Sequence, residues 1–360
     1  MTQRENFHRM MRGQVYEHVP FDLPMTPPIV DEMERRMGMR DPVEAFDLDF
    51  RYVWGGGHSD ADQWRAEYER RGVPIPKGAW VGNGGYCELP GDKDSVGDAY
   101  HLTYMFHPLS YSETLEEIET FPWHDLNDPA LYAPVAGRVA ETKAAGKVAT
   151  LGLECSVFES AWYLRSMEQI YCDLAEENGI ADWLFDRYAE QSTRMALAGA
   201  QAGADLIRLG DDVGTQRGMM MSVPFWRKHL KPRLARIVEA AKTVENPPYV
   251  QYHSDGRINE IVDDLIEIGV DILNPVQPEC MPIDEVADRW KDRIAFCGMI
   301  GTQTTMPFGS EDDVRAQVAG CEKWIHLGAK MVLAPTHVLE PDVPWQNVIA
   351  LANAVRAIKV

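Results

Sequence analysis

The chain has 360 residues, of which 45% are hydrophobic and 25% are charged. This composition supports a sizeable hydrophobic core and excludes an intrinsically disordered chain. The formal net charge of −21 argues against nucleic acid as the main partner, because binding a phosphate backbone requires a basic surface.

Targeting signals are not visible in the sequence. No apolar run approaches the roughly 18 residues of a membrane-spanning helix, and the polar stretch "MTQRENFHRMMRGQ" has no hydrophobic signal-peptide region. The six cysteines form no C-x-x-C motif, which indicates reduced thiols rather than a disulfide framework. We therefore expect a cytoplasmic protein that does not contact a membrane, and the oligomeric state stays open, a homodimer included.

Short apolar segments alternate with longer helical patterns along the chain. In "INEIVDDLIEIG", for example, Ile258, Ile261 and Leu265 lie on one apolar stripe that ends at Gly269. Eight strand–helix units favour an α/β fold of the (β/α)8 TIM-barrel type over a doubly wound sheet, since no G-x-G-x-x-G motif follows an early strand. The predicted strands are 18–24, 45–54, 147–154, 203–212, 247–256, 269–278, 293–301 and 329–337.

A long insertion follows the second predicted strand. Residues 55–146 separate it from the third, and loops of this length are usually lids or substrate-binding elements. We expect the insertion to lie over the barrel mouth with a small strand or two of its own. No linker or repeat is visible, so residues 1–360 are predicted to form one domain.

Most predicted strands end in a residue that could bind or catalyse. The carboxyl ends of barrel strands converge on one face, which carries the active site in enzymes of this fold. Helix capping alone also selects Asp, Ser or Thr, but His, Glu and Cys are poor caps. The candidates are Glu154, Asp211, Asp212, His253, Asp255, Asn274, Cys297 and His337.

The stretch "YHSDGRI" is the most informative of these strand ends. Residues i and i+2 of a strand face the same way, so His253 and Asp255 can face one point, with His337 at the end of the eighth strand. Two histidines and a carboxylate suit a divalent metal, most simply zinc, with one position left for substrate. The alternative is that Asp255 caps the following helix and His253 is a hydrogen-bonded core residue.

Two further pairs are candidates for substrate binding. Asp49 and Arg51 are i and i+2 on the second predicted strand, where an inward-facing charged pair would clamp a substrate, although an exposed pair is an equal alternative. Asp211 and Asp212 are neighbours, and neighbours on a strand face opposite sides. One of the two is therefore predicted to be structural.

The sequence resembles the uroporphyrinogen decarboxylase superfamily over nearly its whole length. The resemblance lies in "RENFHRMMRGQVYEHVPFD", "YHSDGRINEIVDDLIEIGVDILNPVQP", "FCGMIGTQTTMPFGSEDDV" and "LAPTHVLEPDVPWQN". The superfamily includes the decarboxylase and zinc- and corrinoid-dependent methyltransferases. It implies a (β/α)8 barrel with its site at the C-terminal mouth.

The differences between the branches favour a methyltransferase. The decarboxylase carries an R-Q-A-G-R stretch near its first strand that holds the porphyrin carboxylates, whereas this chain has "FDLPMTPPIVDEM", without arginine. Thiol-methylating relatives bind zinc through H-x-C-G and a later cysteine. His253 matches that histidine, while Asp255 and His337 occupy the cysteine positions, so the metal ligands become harder.

The resemblance therefore implies a demethylating methyltransferase, which passes the methyl group of a small methylated substrate, such as a methoxylated aromatic, to cob(I)alamin on a corrinoid protein. Zinc or a general acid would stabilise the leaving group. Tyr163 fits a tyrosine of the decarboxylase pattern. Five aromatic residues are candidates to line the substrate pocket, namely Trp54, Trp80, Tyr86, Trp162 and Tyr163.

Two other functions stay open. One is a metal-independent decarboxylase of a small carboxylic acid that uses Asp49, Tyr163 and His337. The other is a barrel without catalytic activity that acts as a binding partner. Metal content and methyl transfer to cobalamin distinguish these from the methyltransferase.

Overall fold

Seven parallel strands form a curled sheet in the part of the chain described by the structure, a computed structural model covering residues 1–56, 61–82, 84–89 and 104–360. Each strand is bonded to the next one in chain order, which is the order of a (β/α)8 barrel. The strands are β1 (Phe50–Val53), β2 (Val148–Leu153), β3 (Leu206–Gly210), β4 (Tyr249–His253), β5 (Ile272–Asn274), β6 (Ala295–Ile300) and β7 (Met331–Pro335).

The first predicted strand closes the barrel as an extended segment rather than as a regular strand. Phe21 and Met25 form isolated parallel bridges to Leu333 and Leu339. On the other side, the Asp49 amide donates to the Phe21 carbonyl at 3.2 Å. Residues 20–25, which we call the seam, thus lie between β7 and β1. The expected barrel is confirmed, but its first predicted strand is reduced to isolated bridges.

Helices surround the sheet. The longest, α9, packs on α11 and covers the outside of β2 and β3. The helices are α1 (Gln3–Met11), α2 (Pro27–Met37), α3 (Pro42–Ala45), α4 (Ala61–Arg70), α5 (Leu115–Glu119), α6 (Ala133–Ala144), α7 (Phe158–Arg165), α8 (Met167–Glu176), α9 (Ile180–Gln201), α10 (Val223–His229), α11 (Lys231–Lys242), α12 (Val262–Glu267), α13 (Ile283–Trp290), α14 (Thr305–Phe308), α15 (Glu311–His326) and α16 (Trp345–Ala357).

Helix α1 closes the N-terminal end of the barrel. Its Phe7 and Met10 are buried in an apolar cluster with inward-facing residues of the strand beginnings, including Phe50 and Leu206. Arg4 and His8 bind Asp205, which also accepts the Ala149 amide. The lower half of the barrel is therefore filled with side chains, and any ligand must approach from the opposite end.

The long insertion only partly matches its prediction. It contains a three-stranded antiparallel sheet of Trp80–Val81, Cys87–Leu89 and Tyr104–Phe106. Its last helix, α6, packs against β1 and β2, so residues 133–144 belong to the helical layer of the barrel and were wrongly assigned to the lid. The prediction for residues 57–60, 83 and 90–103 lies outside the described residues.

Across the described ranges, no helix combines the length and the apolar character needed to cross a lipid bilayer.

Candidate active site

Polar side chains fill the upper half of the barrel interior. Arg208, in the middle of β3, donates to the Tyr52 hydroxyl at 3.0 Å, and its Nε lies 3.3 Å from Glu154 Oε1. Tyr52 in turn donates to Asp22 of the seam at 2.7 Å. Burial raises the pKa of both Asp22 and Tyr52. One guanidinium thus ties three barrel segments together immediately below the mouth, which is formed by the C-terminal strand ends.

His253 ends β4 and is held in one tautomer. Its Nδ1 lies 2.6 Å from Asn274 Oδ1, and the Asn274 amide nitrogen donates to the Cys297 carbonyl at 3.3 Å, which fixes the amide orientation. Arg208 Nη2 also lies 3.4 Å from Nδ1, but the Asn274 contact is much shorter. Because an amide oxygen only accepts, this contact places the hydrogen on Nδ1, and Nε2 keeps its lone pair. Burial and the positive charge of Arg208 lower the pKa of His253 to about 3, so the ring is neutral.

Three carboxyl groups face this imidazole or each other at the mouth. Asp212 Oδ1 lies 3.8 Å from His253 Nε2 and accepts the Asp255 amide at 2.7 Å. The Asp212 amide donates to Glu159 Oε2 at 2.9 Å. Burial and the Asp212 charge raise the pKa of Glu159 to about 8 and that of Asp255 to about 7. At neutral pH the mouth therefore combines a neutral imidazole with a protonated Glu159.

Gly256 shapes the turn after this strand. Its φ is +80°, and an added Cβ would lie 2.6 Å from the backbone of Gly214, in the short hairpin that follows β3. Only glycine fits such a left-handed position at so close an approach. The glycine of the "HSDG" stretch thus lets Asp255 and the end of β3 meet.

Asp211 is structural, as predicted for one of the two aspartates. It is fully buried and accepts the backbone amides of Val157 and Glu159, where α7 begins. A carboxylate at a helix start satisfies amides that have no partner within the helix. Asp211 therefore holds α7, and with it Glu159, against the end of β3.

Helix α7 brings Tyr163 to the mouth. The Tyr163 hydroxyl donates to Glu159 Oε1 at 3.2 Å and lies 3.5 Å from Cys155 Sγ. Burial raises the pKa of both Tyr163 and Cys155, so both groups are protonated. Trp162 packs edge-on against Tyr163, with ring centroids 4.5 Å apart, and its Nε1 is buried with no partner among the described residues.

The two predicted histidine ligands lie near each other, but the predicted ligands do not form a coordination shell. The His253 and His337 ring centroids are 6.4 Å apart, whereas two imidazoles on one tetrahedral zinc would have centroids about 5 Å apart. No group of three or more His, Cys, Asp or Glu side chains in the described part of the chain is arranged to hold a metal ion.

The chemistry of the donors nevertheless fits a divalent cation. His253 presents a lone pair, and its other nitrogen is oriented by Asn274, as in many metal-binding histidines. Asp255 Oδ1 is buried and has no hydrogen-bond partner in the described ranges.

The prediction that Asp49 and Arg51 clamp a substrate is wrong. Asp49 precedes β1 at the N-terminal end of the barrel, where its carboxylate accepts from His18 and from the Phe21 amide. Arg51 faces outwards and pairs with Asp41 and Glu44. The inward-facing residues of β1 are Phe50 and Tyr52. Because alternate residues of a strand face opposite sides, residues 49 and 51 do not face the barrel interior.

Two other predicted substrate-binding residues lie below the mouth. Cys297 is 6% exposed within the lower apolar cluster, and burial raises the pKa of its thiol to about 12. Asn274 orients His253, as described above. Glu154 lies above them beside Arg208, with its Oε2 buried and without a partner among the described residues.

Arg208, Tyr52, Asp22 and Glu159 are site residues that the sequence analysis missed. Arg208 had a signal, because a charge in the middle of the apolar run "ADLIRLG" is unusual in a buried strand and indicates a buried polar site. Glu159 had none, since its approach to Asp212 depends on the packing of α7.

Comparisons with known proteins agree with this fold. A family model described as uroporphyrinogen decarboxylase (URO-D) matches residues 110–358. A methyltransferase from Methanosarcina mazei superposes with a TM-score of 0.68 at 19% sequence identity, covering 99% of this chain and 98% of that chain. At this identity the similarity shows the fold alone.

A second solved structure is more distant. A protein assigned as a vitamin-B12-independent methionine synthase from Listeria monocytogenes has a TM-score of 0.44 at 12% identity, covering 94% of this chain and 95% of that chain. This similarity is too low to support an argument about fold or function. No curated protein matches the sequence.

Proposed function

The chain belongs to the uroporphyrinogen decarboxylase family, and from this membership and the chemistry of the barrel mouth we propose that it is a methyltransferase. Its methyl donor is a small methylated compound, specifically a methoxylated aromatic, and its acceptor is cob(I)alamin carried by a corrinoid protein. The likeness to the Methanosarcina mazei methyltransferase supports the shared architecture on which this proposal depends.

One observation carries the proposal. The mouth holds a neutral imidazole, His253, beside carboxyl groups that burial keeps protonated or raises towards neutral pKa values. Such a site can donate a proton to an oxygen and can bind a cation, and both actions help an ether oxygen to leave. A porphyrinogen, with its many carboxylates, is a poor ligand for this set of acids.

The reaction breaks the bond between the methyl carbon and the ether oxygen. The electron pair of that bond stays on the oxygen, which takes a proton, while the methyl group passes to the electron-rich cobalt of cob(I)alamin. We assign the proton to the pair of Glu159 and Tyr163, which are hydrogen-bonded to each other and both protonated at neutral pH. Trp162, beside Tyr163, bounds the donor site.

Zinc is part of the proposal. His253, Asp255 and His337 would hold it, and when bound it would supply a Lewis acid at the ether oxygen. Imidazole and carboxylate ligands leave the metal more electrophilic than thiolates do. Asn274 supports this role because it keeps the Nε2 lone pair of His253 directed to the mouth. Metal analysis of the purified protein tests this part on its own.

The decisive assay mixes the enzyme, candidate aryl methyl ethers and chemically reduced cobalamin, and follows the methylcobalamin absorbance. We expect His253→Ala to abolish the signal and to lower the zinc content, with circular dichroism unchanged. His326→Ala is the matched control, because His326 lies at the end of α15, where its polar contacts among the described residues are a hydrogen bond with the Lys359 carbonyl and a 4.0 Å approach to Glu322. It should leave both readouts intact.

The competing hypothesis is that the protein decarboxylates a small carboxylic acid. The version that uses Asp49 is excluded by the position of that residue at the far end of the barrel. If no methyl ether gives methylcobalamin, while a carboxylic acid releases carbon dioxide in a reaction that His337→Ala stops, the methyltransferase proposal is wrong.

A further inference from the structure

A second cavity lies beside the barrel mouth, between α9 and the long insertion. Its volume is about 240 Å³, and Gly56, which follows the mouth end of β1, forms part of its wall. Five aromatic side chains line it, namely Trp64, Tyr86, Trp123, Tyr132 and Tyr188. None of the residues assigned above to the reaction lines this cavity, so its chemistry is a separate question.

The aromatic walls form a defined surface. Trp64 and Trp123 pack edge to face with centroids 5.3 Å apart, and Trp123 also packs edge-on against Tyr188 at 6.2 Å. Burial raises the pKa of Tyr86 and Tyr188, which keeps both phenols neutral. Such rings bind a flat apolar molecule well, because stacked and edge-to-face contacts add to the gain from burying its surface.

Arg187 is the charged group of this cavity. One of its terminal nitrogens donates to the His124 carbonyl, and its guanidinium lies 5.8 Å from the Trp123 ring centroid. Its Nε is buried and lacks a hydrogen-bond partner among the described residues. Throughout those residues, no carboxylate lies within ion-pair distance of it, and burial lowers its pKa.

A partly buried guanidinium without a carboxylate partner is costly, because it loses hydration that the bond to the His124 carbonyl replaces only in part. A ligand carboxylate would remove that cost by accepting from the guanidinium, a strong charge-assisted pair. Two other arginines, Arg165 and Arg233, each form an ion pair with an aspartate of the chain itself. Arg187 differs from them because, among the described residues, no carboxylate lies within ion-pair distance of it, and Asp125 attracts it only from farther away.

We propose that this cavity is a binding site for a planar aromatic carboxylate, with the ring between the aromatic side chains and the carboxylate on Arg187. A methoxylated aryl acid would belong to the same class. That link to catalysis rests on the proposed function, whereas the binding itself does not.

Calorimetric titration of the protein tests the proposal with benzoate, benzamide and cyclohexanecarboxylate, and a change in tryptophan fluorescence on binding gives a second readout. We expect benzoate to bind with 1:1 stoichiometry and at least tenfold more tightly than either analogue. Benzamide keeps the ring without the charge, and cyclohexanecarboxylate keeps the charge without the ring. Equal binding of all three, or no benzoate binding at millimolar concentration, overturns the proposal.

Variants place the ligand in this cavity rather than at the mouth. Arg187→Met should weaken benzoate binding at least tenfold. Arg236→Met, which removes an exposed arginine on the adjacent α11 that pairs with Glu190, is the matched control and should leave binding unchanged. Unweakened binding in a folded Arg187→Met protein contradicts the proposal. If that variant does not fold, Arg187→Lys, which loses the planar fork, takes its place and should also weaken binding.

The two proposals fail separately. Benzoate binding that depends on Arg187, together with no methyl transfer from any ether, would support this site and overturn the methyltransferase proposal. Methyl transfer without benzoate binding would support the methyltransferase proposal and overturn the proposed aromatic carboxylate site.

Discussion

Asp211 and Asp212 are adjacent in sequence but have different surroundings. Asp211 is fully buried and satisfies two backbone amides at the start of α7, whereas Asp212 is partly exposed at the mouth, 3.8 Å from His253 Nε2. The same side-chain chemistry therefore serves the fold in one residue and the site in the other. Their separate removal tests this division.

We expect Asp211→Ala to lower the free energy of unfolding by roughly 3 kcal/mol, because each buried amide left without an acceptor costs about 1–3 kcal/mol. Asp212→Ala should cost about 1 kcal/mol, the scale of one lost hydrogen bond, and should reduce methyl transfer more strongly. Urea unfolding and the methylcobalamin assay provide the two measurements. Equal losses of stability in the two variants would show that the division is wrong.

Glu159 gives the protein a pH-dependent stability. Burial, followed by the Asp212 charge, raises its pKa from 4.5 to about 8. Its contribution to stability is therefore complete below pH 4.5 and is lost as the pH rises through 8. Between pH 5 and pH 8 the unfolding free energy of the wild type should fall, by a few kcal/mol at most, relative to that of Glu159→Gln.

The pKa of His253 is lowered rather than raised, so its effect on stability has the opposite pH dependence and falls in a different pH range. Its pKa is lowered to about 3, so its contribution is lost only as the pH falls from 6.5 towards 3. Comparing the wild type with Glu159→Gln at pH 5, 6.5 and 8 therefore isolates the contribution of Glu159 from that of His253. If Glu159→Gln follows the wild-type curve between pH 6.5 and pH 8, Glu159 is ionised in the folded protein and cannot be the proton donor.

At this scale the sequence was informative where a residue type conflicts with its local pattern. His253 at the end of an apolar strand was identified in this way, and Arg208 could have been, since it is a cation at the centre of the otherwise apolar strand β3. Glu159 could not have been identified. Its partner Asp212 is 53 residues away, and no local rule specifies that contact.

Among the elements, α1 fills the N-terminal end of the barrel while taking no part in the site. Phe7 is fully buried and packs edge-on against Phe50 and Tyr249, with centroids 5.3 and 5.7 Å away. The helix therefore supports the beginnings of the strands, whereas His253 lies at the C-terminal end of β4. Its removal should affect stability and leave the chemistry unchanged.

We expect Phe7→Ala to lower the unfolding free energy by about 3–5 kcal/mol, the usual cost of emptying a buried phenylalanine position. Arg9→Ala, on the exposed face of the same helix, should change it by less than about 1 kcal/mol. The KM for the methyl donor should be the same in both variants. A raised KM in Phe7→Ala would show that α1 also shapes the mouth.

Element boundaries were predicted less well than element types. The pattern of residues 45–54 suggested one long strand, but Pro42–Ala45 is helical and only Phe50–Val53 pairs with β2. The early start of the predicted strand did not affect the prediction that a strand is present. The wrong assignment of its inward-facing residues did affect the predicted site, because it placed Asp49 and Arg51 at the substrate.

For the molecule as a whole, the barrel was predictable because each strand–helix unit has its own local signal. The seam shows where that signal is insufficient. "HVPFDLP" has strand composition, but Pro20 and Pro24 have no amide hydrogen to donate, so the segment pairs only at isolated bridges. Closure of the barrel thus depends on a few bonds that alternate with prolines.

Hydrogen exchange should detect this difference. The Asp22 amide, bonded to the Leu333 carbonyl, is expected to exchange at least tenfold faster than the amides of β3 and β4, which lie between two paired strands. Mass spectrometry of peptides covering residues 18–26 and 205–210 provides the comparison. Equal protection would mean that the barrel opens only when the whole molecule unfolds.

Because of the seam, the way the molecule unfolds under tension should depend on which end of the chain is pulled. Tension applied at the first residue would be carried by α1 and then by residues 20–25 before it reached the seven continuous strands. We expect a stretched single molecule to yield in two events, a small early extension as α1 and the seam detach and a larger one as the sheet ruptures. Pulled from Val360, the same barrel should give way through α16 and β7 instead.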